Sequence, residues 1–163
     1  MIERPNRAKA SSRTTRAIVV ALLLISALVM LIVMLGGWST LQSGPVLQLA
    51  YVVLYVGMAY YIAQWNRGPL PVAMALAIIL LIFAAIAAPE WFQRDKDGFS
   101  TPESVFGTTG LESATLGLLT ALLVPLQALL IFFAVQGFRQ DWHVEVERPI
   151  GELDRRDHGA ATA

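Results

Sequence analysis

No cysteine occurs among the 163 residues. That absence excludes disulfides, thiolate metal sites, c-type haem attachment and dithiol redox chemistry. Charge is also scarce: 15% of residues are Asp, Glu, Lys or Arg, against roughly a quarter in soluble domains. The scarcity is concentrated, with no Asp, Glu, Lys, Arg or His within 17–64, 68–89 or 113–138. Formal net charge is zero and the pI is near 6.7, so no basic excess favours nucleic acid. No Asn-x-Ser/Thr sequon is present.

What fills the charge-free stretches is apolar. Hydrophobic residues make up 56% of the chain, and the mean hydropathy is +0.59. Uninterrupted apolar stretches of about eighteen or more residues read as transmembrane helices. Four such spans are expected, over 17–37, 45–65, 69–89 and 110–138. The first, "AIVVALLLISALVMLIVML", is too long for a signal-peptide core and no small-x-small cleavage site closes it, so a retained helix is expected. Gly44-Pro45 opens the second, Asn66-Arg67-Gly68-Pro69 closes it, and Pro89-Glu90 closes the third. Nineteen or twenty helical residues span about 28–30 Å, the thickness of the hydrocarbon core. Thr109-Gly110-Leu111-Glu112 has a capping-box pattern at the start of the fourth. That span exceeds one crossing, which implies tilt or a projecting end.

Basic residues set the orientation. With both termini in the cytoplasm, all twelve fall inside except Arg94 and Lys96. This distribution is the one the positive-inside rule selects, and Trp38, Trp65 and Trp91 sit at span ends, where indole rings anchor. The expected fold class is therefore all-α: an integral membrane four-helix bundle, up-down-up-down, in the cell membrane. A basic cytoplasmic segment (1–16) precedes the transmembrane domain (17–138), and a cytoplasmic tail (139–163) follows it.

In lipid, helices associate through close packing of small residues. Ala73, Ala77, Ala84 and Ala88 share a face of the third span, and Gly117, Ala121, Pro125 and Ala128 form a similar stripe on the fourth. The two faces are expected to meet each other or to form an oligomer interface. Pro125 should kink its helix and free the Ala121 carbonyl, a candidate partner for the Gln127 amide. Gln48, Tyr51 and Tyr55 recur at helical spacing in the second span. With Gln127 they define a polar cleft or a set of helix-to-helix hydrogen bonds.

Proton- and cation-coupled carriers keep an ionisable side chain inside the bilayer, and none is available here. Buried haem needs an axial His or Met; both histidines, His143 and His158, lie in the tail. Met30, Met34, Met58 and Met74 suit packing better than ligation. These features predict a protein that is not an enzyme and has no cofactor.

In the segment 89–110, acids outnumber bases and Trp91, Phe92, Phe99, Val105 and Phe106 supply apolar surface. Ser100-Thr101-Pro102-Glu103 resembles a helix start and Gly107 a stop, so one or two helical turns are expected. In the tail, Trp142-His143-Val144-Glu145-Val146-Glu147 alternates with period two, as a strand does. A lone strand needs an edge, and no other strand is evident. The expectation is pairing with a second copy or with a partner's sheet through Trp142, Val144 and Val146. Continuation of the last helix or an extended tail on the surface are the alternatives, and a His143/Glu145/Glu147 metal site lacks a fourth ligand. The role expected is an accessory or scaffolding subunit that binds membrane-protein partners or itself in the lipid bilayer. A small transporter or channel-like homo-oligomer for an apolar or neutral solute is the alternative.

Overall fold

The structure, a computed structural model, describes residues 2–3, 9–41, 44–142 and 145–147. In chain order the elements are β1 (Ile2–Glu3), α1 (Ala10–Gly36), a 3-10 turn (Trp38–Thr40), α2 (Gly44–Ala63), α3 (Pro69–Gln93), α4 (Ser113–Arg139) and β2 (Val146–Glu147). Among the described residues, four helices are long and apolar enough to cross a membrane. The protein is a membrane-embedded, multi-pass four-helix bundle.

The helices pack unequally. Of the helix pairs, α3 and α4 have the broadest interface, followed by α1 with α2 and α1 with α4, whereas α2 and α3 meet only sparsely. Two helix hairpins are thus joined along α1 and α4, and a seam is left between α2 and α3. The α3–α4 interface follows from spacing. Leu70, Ala73, Ala77, Leu80, Ala84, Ala88 and Trp91 are buried on α3; Leu116, Thr120, Leu123, Gln127, Leu130, Ala134 and Gly137 are buried on α4. Steps of three and four residues keep a stripe facing its partner, as in a coiled coil. The alanine face of α3 is therefore buried, but the stripe expected on α4 is displaced. Gly117 is buried at its edge, Ala121 is half-buried, and Pro125 and Ala128 face outward. Two four-residue steps in succession rotate by about 80°, which carries Pro125 off the seam. The helix runs through it without interruption from Ser113 to Arg139.

α1 begins at Ala10, so residues 10–16, expected to precede the first span, form its first turns, with Ser12 and Thr15 buried. α3 likewise continues through Pro89 to Gln93. Its last turn is held by Trp91, which packs with Val33 and Leu116.

The segment after α3 forms no helix over 100–107. Its backbone instead serves the end of α1, whose last carbonyls have no partner within the helix. The Val105 N–H donates to the Leu35 carbonyl (3.1 Å) and the Leu111 N–H to that of Gly36 (3.0 Å). Glu103 and Ser39 exchange two bonds: the Glu103 N–H donates to Ser39 Oγ (2.8 Å) and the Ser39 N–H to the Glu103 carbonyl (3.2 Å). A bridge between Glu103 and Thr109 and a left-handed Gly107 (φ 71°) close the turn. Thr109 is thereby committed, so the capping box does not form and α4 starts at Ser113, three residues later than expected, with Glu112 as its cap residue. At Gly110 a Cβ would collide with the Gly36 carbonyl oxygen and come within 2.7 Å of the Pro102 oxygen. Only glycine fits there.

At the opposite end the tail closes the bundle. α4 stops at Arg139, and Asp141 turns the chain with φ at 45°. Trp142 then inserts between the helices at 0% exposure. Its ring meets Trp65 edge to face (centroids 5.6 Å, 85°), its Nε1–H donates to Gln140 Oε1 (3.1 Å), and Gln140 Nε2 donates to Thr15 Oγ1 (2.9 Å). Gly137 makes room for it, since a Cβ there would lie 3.2 Å from Trp142 Cζ2. Arg16 donates to the Ala63 carbonyl at the end of α2 (2.6 Å) and lies 4.1 Å from the Trp65 ring centroid. Arg67 pairs with Asp141 and lies over Phe138.

Farther along the tail, β2 pairs antiparallel with β1, Ile2 opposite Glu147 and Glu3 opposite Val146. Among the described residues of the strand expected over 142–147, Val146 and Glu147 form it and Trp142 and Glu145 do not. Its edge comes from the chain's own N-terminus, where two residues are too few to show an alternation. Trp142, expected on a partner-facing strand, is an internal anchor. Val144 and His143 lie outside the described residues, and Val146 is described only through its backbone pairing.

Trp142→Ala should lower stability by about 3 kcal/mol, the cost of an emptied aromatic site, and Trp142→Phe by less. Thermal unfolding in detergent micelles checks this; an unchanged midpoint for the alanine variant would refute the anchoring role.

Candidate functional site

α2 carries the polar residues that the sequence singles out, and the fold divides them. Tyr55 lies on the buried face. Its hydroxyl donates to Gln127 Oε1 of α4 (2.8 Å), and Gln127 Nε2 donates to Ser26 Oγ of α1 (2.9 Å). All three residues are 0% exposed. A carboxamide in hydrocarbon must find partners inside the protein. Gln127 finds them on two other helices and not in the Ala121 carbonyl. Sequence reasoning missed Ser26, the lone hydroxyl in the apolar run 17–35, which was the available signal. Tyr51, one turn before Tyr55, packs edge to face against it (centroids 5.9 Å, 63°).

Gln48 and Tyr51 belong to a different environment. Where α2 and α3 diverge, on the side of the bundle nearer the 94–112 connection, a cleft of about 180 Å³ opens. Met30 and Val33 of α1 form its back wall together with Thr120 and Leu123 of α4. Leu47, Gln48 and Tyr51 line the α2 side; Leu80, Phe83, Ala84, Ala87 and Trp91 line the α3 side. Leu47 and Phe83 also face outward, so the cleft reaches the surface that contacts lipid. Its volume arises from sequence as well as from divergence: Ala84 and Ala87 stand where larger side chains would fill the space.

The lining is apolar apart from Gln48, Tyr51 and Thr120. The Thr120 hydroxyl is spent on the Leu116 carbonyl of its own helix (2.8 Å), a common use of threonine within a helix. Gln48 differs. Its Oε1 is buried and has no hydrogen-bond partner among the described residues, in a setting where an unmet acceptor is costly. Ser26, Tyr55 and Gln127 do not line the cleft. The expected polar cleft of Gln48, Tyr51, Tyr55 and Gln127 thus resolves into two lining residues and two residues of an internal hydrogen-bond chain.

Among the described residues, no three His, Asp or Glu side chains gather as a metal site would require. Met30 and Met58 take part in the apolar core, and Met74 packs against it. Comparison with known proteins finds no matching family model, curated protein or solved structure.

The hydrogen-bond chain makes a quantitative prediction. Gln127→Leu should destabilise the bundle by roughly 0.6–1.7 kcal/mol, the range for interhelical hydrogen bonds in membranes. Tyr55→Phe introduced into that variant should cost less than it does in the wild type, because the two residues share one bond. Unfolding titrations of the four proteins in bicelles give the coupling; strict additivity would mean that the bond contributes nothing.

Proposed function

We propose that this protein is a non-catalytic membrane protein that binds a small apolar molecule drawn from the lipid phase. One observation carries the reading: a cleft with almost wholly apolar walls reaches the lipid-facing surface along the sparsely packed α2–α3 seam. Concave, mostly apolar sites with a few placed polar groups are the usual form of small-molecule sites. Of the two roles that the sequence suggests, handling of an apolar or neutral solute gains support in the form of binding. Conduction is less well supported, because Tyr55, Gln127 and Ser26 are packed in the core beside the cleft.

Of the tail residues expected to serve an accessory-subunit role, Trp142 is taken up inside the bundle, while Val144 and the side chain of Val146 lie outside the described residues. The outward helix faces, apolar as contact with lipid requires, offer a further surface for association with other membrane proteins or with a second copy. The distribution of basic residues supports cytoplasmic termini and an outer 94–112 connection.

A hydrocarbon diazirine applied to the protein in lipid nanodiscs should give saturable labelling of Tyr51, Phe83 and Trp91, lost in Ala84→Trp. Labelling that never saturates and follows only outward exposure would count against the proposal. Orientation is separately testable, since the chain has no native cysteine. In intact cells, an impermeant thiol reagent should modify Ser100→Cys but not Lys9→Cys; the reverse pattern would invert the topology.

A further inference from the structure

We infer that an outer groove between α3 and α4 is a site for one anionic phospholipid, with an acyl chain in the groove and the phosphate on Arg139. This groove is distinct from the α2–α3 cleft, and its occupant is independent of the ligand proposed there. It lies at the end of the bundle where α3 begins and α4 stops, with a volume of about 300 Å³. Leu70, Pro71 and Met74 of α3 and Ala134, Val135 and Phe138 of α4 line it, and Arg139 stands at its rim. Leu70 and Ala134 are buried and form the floor, whereas Val135 and Phe138 are 39% and 47% exposed, so the groove opens outward.

The walls and the rim select different parts of the occupant. An outward apolar groove on a membrane-embedded bundle meets acyl chains. A chain gains no hydrophobic free energy by leaving lipid for a protein wall, so preference for one lipid over another must come from the headgroup. Arg139 supplies it. Its side chain is exposed and, among the described residues, makes no hydrogen bond or ion pair. Arg67, the neighbouring cation, is already met: it pairs with Asp141 and lies 5.5 Å from the Phe138 ring centroid, steadying one wall of the groove. A guanidinium binds phosphate bidentately, and basic pockets between spans at headgroup level hold anionic lipid headgroups. A zwitterionic lipid is the poorer fit, because its own ammonium offsets its phosphate.

The test is photolabelling in phosphatidylcholine nanodiscs doped with a trace of phosphatidylglycerol or of phosphatidylcholine, each carrying the same acyl-chain diazirine. Label on Met74, Val135 and Phe138 is read by peptide mass spectrometry relative to label on Val53, which faces outward on α2. On the wild type the anionic probe should label the groove about fivefold more than the zwitterionic one, the effect of one basic side chain near the membrane surface. Arg139→Gln should bring that ratio to one, and Arg139→Lys should retain most of it. Lys96→Gln, at the opposite end of the bundle, should leave it unchanged. Val135→Trp, which fills the groove, should abolish the preference at Met74 and Phe138. Equal labelling by the two probes on the wild type, or a preference that survives Arg139→Gln, overturns the inference. Exclusion of both probes from the groove overturns it as well, since the groove would then be covered by protein.

Discussion

A polar group inside hydrocarbon has no solvent to turn to, and this constraint organises the bundle. Gln127 is the clearest case. Its two amide atoms are met by Tyr55 and Ser26, so one side chain on α4 ties α2 and α1 to it. Such bonds add modest stability in membranes, yet they fix rotation about the helix axes, because a displaced donor would have nowhere else to go. The same requirement governs the helix ends. Carbonyls that α1 cannot satisfy within itself are taken by Val105 and Leu111 of the connection, and the end of α2 receives the guanidinium of Arg16.

Packing then decides where the bundle closes and where it stays open. Alanines on α3 let it approach α4 along a regular three-four stripe, and the small Ala134 and Gly137 continue the fit on α4. Drawn toward α4, α3 has little contact with α2 although the two are joined by a short turn. The cleft is the consequence of that imbalance. It lies where α2 and α3 diverge and where Ala84 and Ala87 leave space unfilled. A site of this origin is reached from the lipid, which matches the apolar character of its walls.

Arg16, Trp65, Arg67, Asp141 and Trp142 form a clasp at the other end of the bundle. Trp65 and Asp141 adopt left-handed backbone conformations, with φ of 68° and 45°, at some cost for residues with a Cβ. Trp65 stands where a helix end usually has glycine, and the bonds from Trp65 to Ile62 and from Asn66 to Tyr61 are those of a Schellman turn. The Trp65–Trp142 contact, the Arg16 stack and the Arg67–Asp141 pair hold both turns in place. The stiff, aromatic end and the open, apolar seam are therefore at opposite ends of one bundle.

The number of spans, their approximate limits and the buried alanine face of α3 were legible in the sequence. Those features depend on local periodicity and on the absence of charge over stretches as long as a bilayer is thick. The segment 100–107 misled because its helix-start residues describe a local preference, whereas the free carbonyls of α1 offer bonds that only become available once the helices have assembled. Ser26 could be seen as an isolated hydroxyl, but nothing local pairs residue 26 with residue 127. The sequence by itself thus determined that this is a multi-pass membrane protein with no Asp, Glu, Lys, Arg or His in 17–64, 68–89 or 113–138. Tertiary structure alone decided that Tyr55 and Gln127 belong to the core while Gln48 and Tyr51 line a cleft. Neighbouring turns of one helix meet different partners, and which partner each meets depends on the rotation and approach of whole helices.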